Sequence, residues 1–288
     1  MRSYSSLITL LTASASLLGA TPHFYYNHAL VRQMSDSFCA SLHREEPEAP
    51  IDLALARQQH EAYSLLIRAL IADTATIGQD PEHPDCNFIE DTAILVGEDA
   101  VVCRMGAPER RGEEQAILET LLAQGRHTLH CLEAPATLDG GDVLYTGRHL
   151  FVGLSERSNA AAIEQLTHIF QGRLEVIAIP VGDSLHLKSL VSQLDEDVLV
   201  ISQDEAGRAV QEAIEAQVSD YAFVSVPDRV AANVLRIRDT LVIQEGFPES
   251  ECLLRSFAEQ RGLHCVALPM SELIKADGAL TCGSLLFQ

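Results

Sequence analysis

The chain has 288 residues, 47% of them hydrophobic, enough to bury a substantial core in one large domain or two small ones. Lys and Arg total 20 against 41 Asp and Glu, so the formal net charge of −21 repels nucleic acid and anionic membranes, and no Lys/Arg-rich run offers a local exception. Seven cysteines leave at least one unpaired and form no closely spaced framework, which excludes a disulfide-stapled module and favours a reducing, cytoplasmic setting.

In chain order, Met1 and Arg2 precede the apolar, small-residue stretch Leu7–Ala20, which has the layout of a signal peptide but is too short and Ser/Thr-rich for a membrane span. Residues 1–23 therefore read as a leader or disordered extension, with a secreted or periplasmic location as the alternative if the segment is cleaved. Ala29–Met34 predicts the first strand, and a polar loop follows through Pro50. Over Ile51–Ile71, the spacing of Leu55, Tyr63, Leu66, Ile67 and Leu70 predicts a helix with one face on a sheet. Ala93–Val96 and Ala100–Arg104 flank Gly97-Glu98-Asp99 as a hairpin, and a helix is expected over Glu113–Gln124.

That order recurs. Val143–Tyr145 and Leu150–Val152 surround Thr146-Gly147-Arg148, Ser158 is placed to cap a helix running to Phe170, and Leu174–Val181 returns as a strand. Val198–Ser202, a helix over Asp204–Gln217 and Tyr221–Val226 continue the alternation. Val234–Ile237 and Leu241–Gln244 form another hairpin before a helix over Ser250–Gln260 and a strand over Leu263–Leu268. Alternating hairpins, helices and strands imply α/β architecture without determining how it closes, and no Gly/Ser- or Pro-rich linker divides residues 24–288, which read as one catalytic domain.

Neither a phosphate-cradling glycine loop nor a serine nucleophile elbow is present. His127, His130 and Cys131 invite a metal assignment, yet no Cys-x2-Cys pair completes a tetrahedral set, so no metal is expected. Cys282 carries more information. It ends the run Asp277-Gly278-Ala279-Leu280-Thr281-Cys282, and upstream lie Asp183-Ser184-Leu185-His186-Leu187-Lys188-Ser189 and Leu138-Asp139-Gly140-Gly141-Asp142-Val143. A thiol needs a base or positive charge nearby to become a nucleophile, a histidine moves protons at neutral pH, and a carboxylate can orient it. The combination suggests covalent hydrolysis.

These strings, with Pro84-Asp85-Cys86-Asn87-Phe88-Ile89-Glu90-Asp91, resemble in the same order the signatures of the dimethylarginine dimethylaminohydrolases, a family of the guanidino-group-modifying pentein superfamily. The resemblance runs from Phe24 to Gln288 and takes in Gly106–Arg111 and Phe151–Arg157. It implies a pentein fold, in which ββαβ units surround a central site with approximate fivefold pseudosymmetry, and it implies no cofactor. The implied substrates are asymmetric dimethylarginine and monomethylarginine, hydrolysed to citrulline and dimethylamine or methylamine. By the same resemblance Cys282 attacks the guanidino carbon to form a thiouronium intermediate, His186 protonates the departing amine and then helps activate water, and Asp139 orients His186. Asp85, Glu90, Asp91 and Asp277 are implied around the guanidinium or the histidine, Arg110 and Arg157 at the α-carboxylate, Leu42 and Ala276 as backbone contacts, and Ser189 near the substrate. A link to nitric oxide metabolism is implied for organisms that use methylarginine to inhibit its synthesis.

Two departures limit the transfer. Gly283 follows the nucleophile where some members have a second cysteine, and Ala276 replaces the valine common in animal relatives. Arginine or agmatine deimination, or silent guanidino-compound binding on the same scaffold, are the competing readings, and the assembly state is left open.

Overall fold

In the computed structural model, which describes residues 23–288, each hairpin read from the sequence gains a third strand that arrives through a helix. The expected leader over Leu7–Ala20 lies outside the described residues. The chain runs β1 (His28–Arg32), α1 (Leu53–Leu70), β2 (Asp73–Ile77), β3 (Ala93–Val96), β4 (Asp99–Val102), α2 (Glu113–Gln124) and β5 (Thr128–Cys131). It continues through β6 (Val143–Tyr145), β7 (His149–Leu154), α3 (Ala160–Ile169), β8 (Glu175–Pro180), β9 (Val191–Asp195), β10 (Val198–Ser202), α4 (Glu205–Glu215) and β11 (Ala222–Val226). The remainder holds β12 (Leu235–Ile237), β13 (Thr240–Gln244), α5 (Pro248–Arg261), β14 (His264–Leu268), the short α6 (Ser271–Ile274) and β15 (Leu285–Phe287).

Among the described residues these strands form five three-stranded sheets. In each of four, an antiparallel hairpin is followed by a helix and a strand parallel to the hairpin's second member, as in β3, β4, α2 and β5. Parallel neighbours require such a crossover, whereas antiparallel ones need only a tight turn. The fifth sheet takes strands from both chain ends: β15 pairs antiparallel with β1, His28 opposite Phe287, and α1 leads to the parallel β2. The last strand thus stands where a hairpin's first strand would be. This completes the five ββαβ units of a pentein fold.

Apolar side chains gather between neighbouring units instead of on the common axis. Ile94 and Val101 meet Val152, Ala162 and Leu166, while Phe151 and Ile179 meet Val191, Ile201, Val210 and Ile214. Val31, Tyr63 and Ile67 likewise meet Ile237 and Val242. Each such buried side chain contributes about 1.5–3 kcal/mol relative to exposure, so the stabilising contacts are distributed around the periphery and the axis is left to polar groups.

Some of the differences from the sequence reading follow burial. β4, β10 and β13 are buried along their whole length, but β2 and β5 are mostly half-exposed to exposed and too mixed in sequence to announce themselves, and neither was anticipated. The sequence reading also passed over β9 and β15. Leu55, expected on the buried face of α1, is exposed; the stripe that packs inward is Ala56, Gln59, His60, Tyr63, Ser64 and Ile67. The α3 cap is Asn159, whose Oδ1 accepts from the Ala162 N–H at 3.1 Å, and the Ser158 hydroxyl instead donates to Asp142 Oδ2 at 2.6 Å. His130 and Cys131 lie on β5, where His130 Nε2 is 2.8 Å from Asp99 Oδ1. Among the described residues, no helix is long and apolar enough to cross a membrane.

Candidate active site

Each unit carries one short 3₁₀ turn just before its first inner strand: Ile89–Thr92, Gly140–Asp142, Leu187–Ser189, Arg229–Ala232 and Thr281–Gly283. The first turn touches the second and the fifth, the second touches the third, and the third touches the fourth. Fivefold repetition therefore delivers one turn per unit to the axis. Asp91 lies in the first, Asp139 and His186 immediately precede the second and third, and Cys282 lies in the fifth.

The glycine pair after Asp139 explains how closely these turns approach. A Cβ on Gly140 would stand 2.0 Å from the Glu90 carbonyl oxygen, and one on Gly141 would stand 2.5 Å from His186 Nδ1 and 2.8 Å from Asp91 Oδ1. Without side chains there, the Gly141 N–H donates to Asp91 Oδ1 at 2.8 Å. Asp139 is fully buried, accepts from the Gly106 N–H through Oδ1 (2.8 Å) and places Oδ2 3.2 Å from His186 Nε2. Asp142 accepts from the Leu187 N–H at 2.9 Å and from the hydroxyls of Ser155 and Ser158, tying down the segment that bears His186.

Electrostatics separate the roles of these groups. Burial alone would lower the His186 pKa, but the charge of Asp91, the hydrogen bond with Asp139 and the charges of Asp142 and Asp139 outweigh it and raise the imidazole to about 9. Asp91 shows the reciprocal effect: burial would raise it, and His186, Arg110 and the Gly141 N–H bring it down to about 2. Burial and the charges of Glu90 and Asp91 push the Cys282 thiol well up, with the Ala279 backbone and Lys188 opposing them weakly. These surroundings favour an imidazolium at His186 and a neutral thiol at Cys282 near neutral pH.

Of the residues expected in the site, Leu42, Asp85, Asp91, Arg110, Arg157, His186, Ala276, Asp277 and Cys282 line one pocket, joined by Phe88 and Leu185. Asp139 reaches it through His186. Two others stand apart. The Glu90 carboxylate binds Lys188 Nζ (2.5 Å) and the Thr281 hydroxyl (2.7 Å) and lines a different cavity, while Ser189 is placed by its N–H donating to the His186 carbonyl at 3.2 Å. The Leu42 N–H donates to Asp85 Oδ2 (3.1 Å) and the Arg44 N–H to Asp277 Oδ2 (2.7 Å), so the segment after β1 crosses the pocket on two carboxylates. Burial raises the pKa of both Asp85 and Asp277.

The sequence did not mark Asn233, and it marked Tyr63 only as part of the apolar face of α1. Asn233 follows the fourth turn, donates from Nδ2 to the Lys188 carbonyl and the Thr281 hydroxyl (3.0 Å each), and accepts from the Thr281 N–H at 3.0 Å. It thereby joins the segment bearing His186 to the turn bearing Cys282. Tyr63 donates to or accepts from Ser284 Oγ at 2.7 Å, and its ring lies 2.6 Å from where a Cβ on Gly283 would stand. A second cysteine at 283 would displace that ring. Among the described residues, Asp91, Asp139 and His186 are the grouping whose ligand atoms lie close enough, within 4.8 Å, to hold a metal ion. Their carboxylates are already engaged by Arg110, Gly141 and Gly106, a donor set suited to the histidine more than to a cation.

A model of the arginine deiminase family matches residues 79–223. The chain is 28% identical over 265 residues to a dimethylarginine dimethylaminohydrolase of Pseudomonas aeruginosa, covering 91% of this chain and 100% of the relative. It is 29% identical to the same-named protein of Streptomyces coelicolor (89% and 95% covered) and 30% identical to an uncharacterized protein of Aeropyrum pernix (80% and 83% covered). Among solved structures, it is similar to the P. aeruginosa enzyme as a Cys-to-Ser mutant with citrulline, with a TM-score of 0.80, 26% identity and 92% and 100% coverage. The N-terminal domain of ArgZ, a cyanobacterial arginine dihydrolase, shares the fold with a TM-score of 0.75 and 19% identity, at 91% and 97% coverage.

Proposed function

The chain belongs to the arginine deiminase family, and from that premise we propose that it hydrolyses asymmetric dimethylarginine and monomethylarginine to citrulline and dimethylamine or methylamine. The observation that carries this reading is a thiol, Cys282, in a pocket shared with the buried His186 and the carboxylates Asp85, Asp91 and Asp277. A guanidinium is a planar cation, and carboxylates around its edge both attract it and restrict its rotation. Arg110 and Arg157 at the same pocket suit the α-carboxylate of an amino acid. Relatives named for dimethylarginine support the methylated substrate.

The electrostatics suit the chemistry. A guanidinium entering beside Cys282 brings a positive charge that offsets Glu90 and Asp91, so the thiol gives up its proton to solvent as the cation binds and the thiolate attacks the guanidino carbon. A new C–S bond forms, and the C–N bond breaks as His186, held protonated by Asp91 and Asp139, gives its proton to the departing amine. The resulting thiouronium is attacked by water, one of whose protons the now neutral His186 accepts; the C–S bond breaks, and the remaining hydroxyl proton passes to the departing Cys282 thiolate, which restores the thiol and leaves neutral citrulline.

The test incubates the purified protein with methylarginines, arginine and agmatine while measuring citrulline and each released amine. Citrulline with stoichiometric dimethylamine or methylamine is expected. Ammonia from arginine as the dominant product would replace the reading with deimination, and binding without turnover would leave a silent scaffold.

A further inference from the structure

Arg110 is not free to meet a substrate with its whole guanidinium. Of the five N–H groups an arginine carries, Nε donates to Glu113 Oε1 at 3.0 Å, Nη2 donates to Glu113 Oε2 (2.8 Å) and to the Phe88 carbonyl (3.2 Å), and Nη1 donates to Asp91 Oδ2 at 2.6 Å. One Nη1 N–H is left uncommitted. Arg157 differs: it is half-buried, its nearest carboxylate oxygen is Asp139 Oδ2 at 3.7 Å, and among the described residues its guanidinium makes no hydrogen bond.

Glu113 is fully buried although it is the first residue of a helix, a position usually turned to solvent. Gly112, with φ at 114°, lets the chain turn inward there, and a Cβ in its place would press on the His83 ring at 3.0 Å. The Glu113 carbonyl also accepts from Arg32 Nη1 at 3.0 Å, which anchors the helix start from behind. The carboxylate is thereby fixed against one edge of Arg110, three residues earlier in the chain.

We propose that Glu113 is a positioning residue for substrate recognition: by holding the Nε and Nη2 edge of Arg110, it sets Nη1 between Asp91 and the pocket. Arg110 then offers an α-carboxylate one directed N–H, and Arg157, which faces Asp139 only at 3.7 Å, supplies the paired contact. This assignment rests on the reading of the pocket as a site for a guanidino amino acid. It makes the distance between the carboxylate end and Cys282 a property of helix α2 and not of the substrate.

The decisive variant is Glu113→Gln, whose amide keeps the shape but points an N–H₂ at one of the arginine donors and releases the fork. Its kcat and KM are measured with monomethylarginine and with the corresponding decarboxylated guanidine, methylagmatine. The KM for the amino acid should rise about tenfold or more, with kcat changing less than about threefold, while the decarboxylated compound is handled almost as before. Glu113→Asp, charged but too short for both contacts, should lose the same preference in part. Equal losses on both substrates, or no change, would overturn the assignment.

A measurement that needs no change at position 113 is the structure of Cys282→Ser with citrulline bound. Arg110 should keep both Glu113 contacts and give the carboxylate one N–H. An Arg110 that leaves Glu113 to grip the carboxylate with two donors would overturn the proposal whatever the variants do. A wild type with no preference for the amino acid over methylagmatine would sink the substrate reading and this inference together, whereas a strong wild-type preference preserved in a folded Glu113→Gln would sink this inference alone.

Discussion

Asp91 lines the pocket that holds Cys282 and His186, whereas Glu90, one residue earlier, lines a second cavity together with Lys188 and Thr281. The same division separates Thr281 from Cys282. Successive residues of a 3₁₀ turn are roughly 120° apart, so neighbours in sequence face different walls. Their electrostatics diverge accordingly. Burial raises Glu90, and Lys188 and Thr281 only partly offset it, while His186, Arg110 and Gly141 together hold Asp91 ionised. Two adjacent carboxylates of like chemistry thus take different work: Asp91 sets the charge of the histidine, and Glu90 braces the turns that carry His186 and Cys282.

The largest effect should come from Cys282→Ser, which removes the group both sides of this division serve. Turnover should fall by roughly four orders of magnitude or more with the thermal unfolding midpoint nearly unchanged, and a folded variant with near-normal amine release would reject the nucleophile assignment. His186→Ala should lose roughly two to four orders of magnitude, read as single-turnover amine release. Little change there would make the histidine structural and leave Asp139 with nothing to orient.

The comparison itself is sharpened by Asp91→Asn and Glu90→Gln, assayed side by side. Asp91→Asn should lower kcat roughly 100-fold and move the alkaline limb of the pH profile downward, because the largest charge holding the proton on His186 is gone. Glu90→Gln should cost about 1–3 kcal/mol of stability by leaving Lys188 without its anion, while kcat falls less than about tenfold. Matching activity and stability losses in the two variants would erase the distinction drawn between the carboxylates.

The smallest effect is on stability against pH. His186 binds its proton more tightly folded than unfolded, so its contribution is fully present below pH 6.5 and is lost as pH rises through about 9. Asp91 has the opposite sign: its contribution is present above pH 3.8 and is lost as pH falls to about 2. Between pH 6.5 and 9 the unfolding midpoint of His186→Asn should therefore decline less than that of the wild type. Parallel curves would mean that His186 is not the group titrating in that window.

Much of the site was legible because its chemistry sits in short strings. Cys282 and His186 stood out by residue type, Asp139 and Asp91 entered through the resemblance of the strings that hold them, and Gly140 and Gly141 stood beside Asp139 for a steric reason that the contacts then supplied. Glu113 and Asn233 were not legible. Glu113 looks like an ordinary first-turn acid of an amphipathic helix, and Asn233 acts on partners 45 and 48 residues away. Nothing local marks either one.

By itself the sequence determined three of the four hairpins described, the five longer helices and the reactive residue types, since these follow from periodic burial and side-chain chemistry over a few neighbouring positions. β4, β10 and β13 are apolar on both faces and so declare themselves, whereas β2 and β5 keep mixed, partly solvated faces that do not. Tertiary structure decided that β15 closes the ring on β1, that Glu90 and Asp91 face different cavities, and that Arg110 is shared between Glu113 and Asp91. Those outcomes depend on which distant groups meet in a dry interior. There the balance of burial against charge, and not the identity of a residue, sets what each side chain can do.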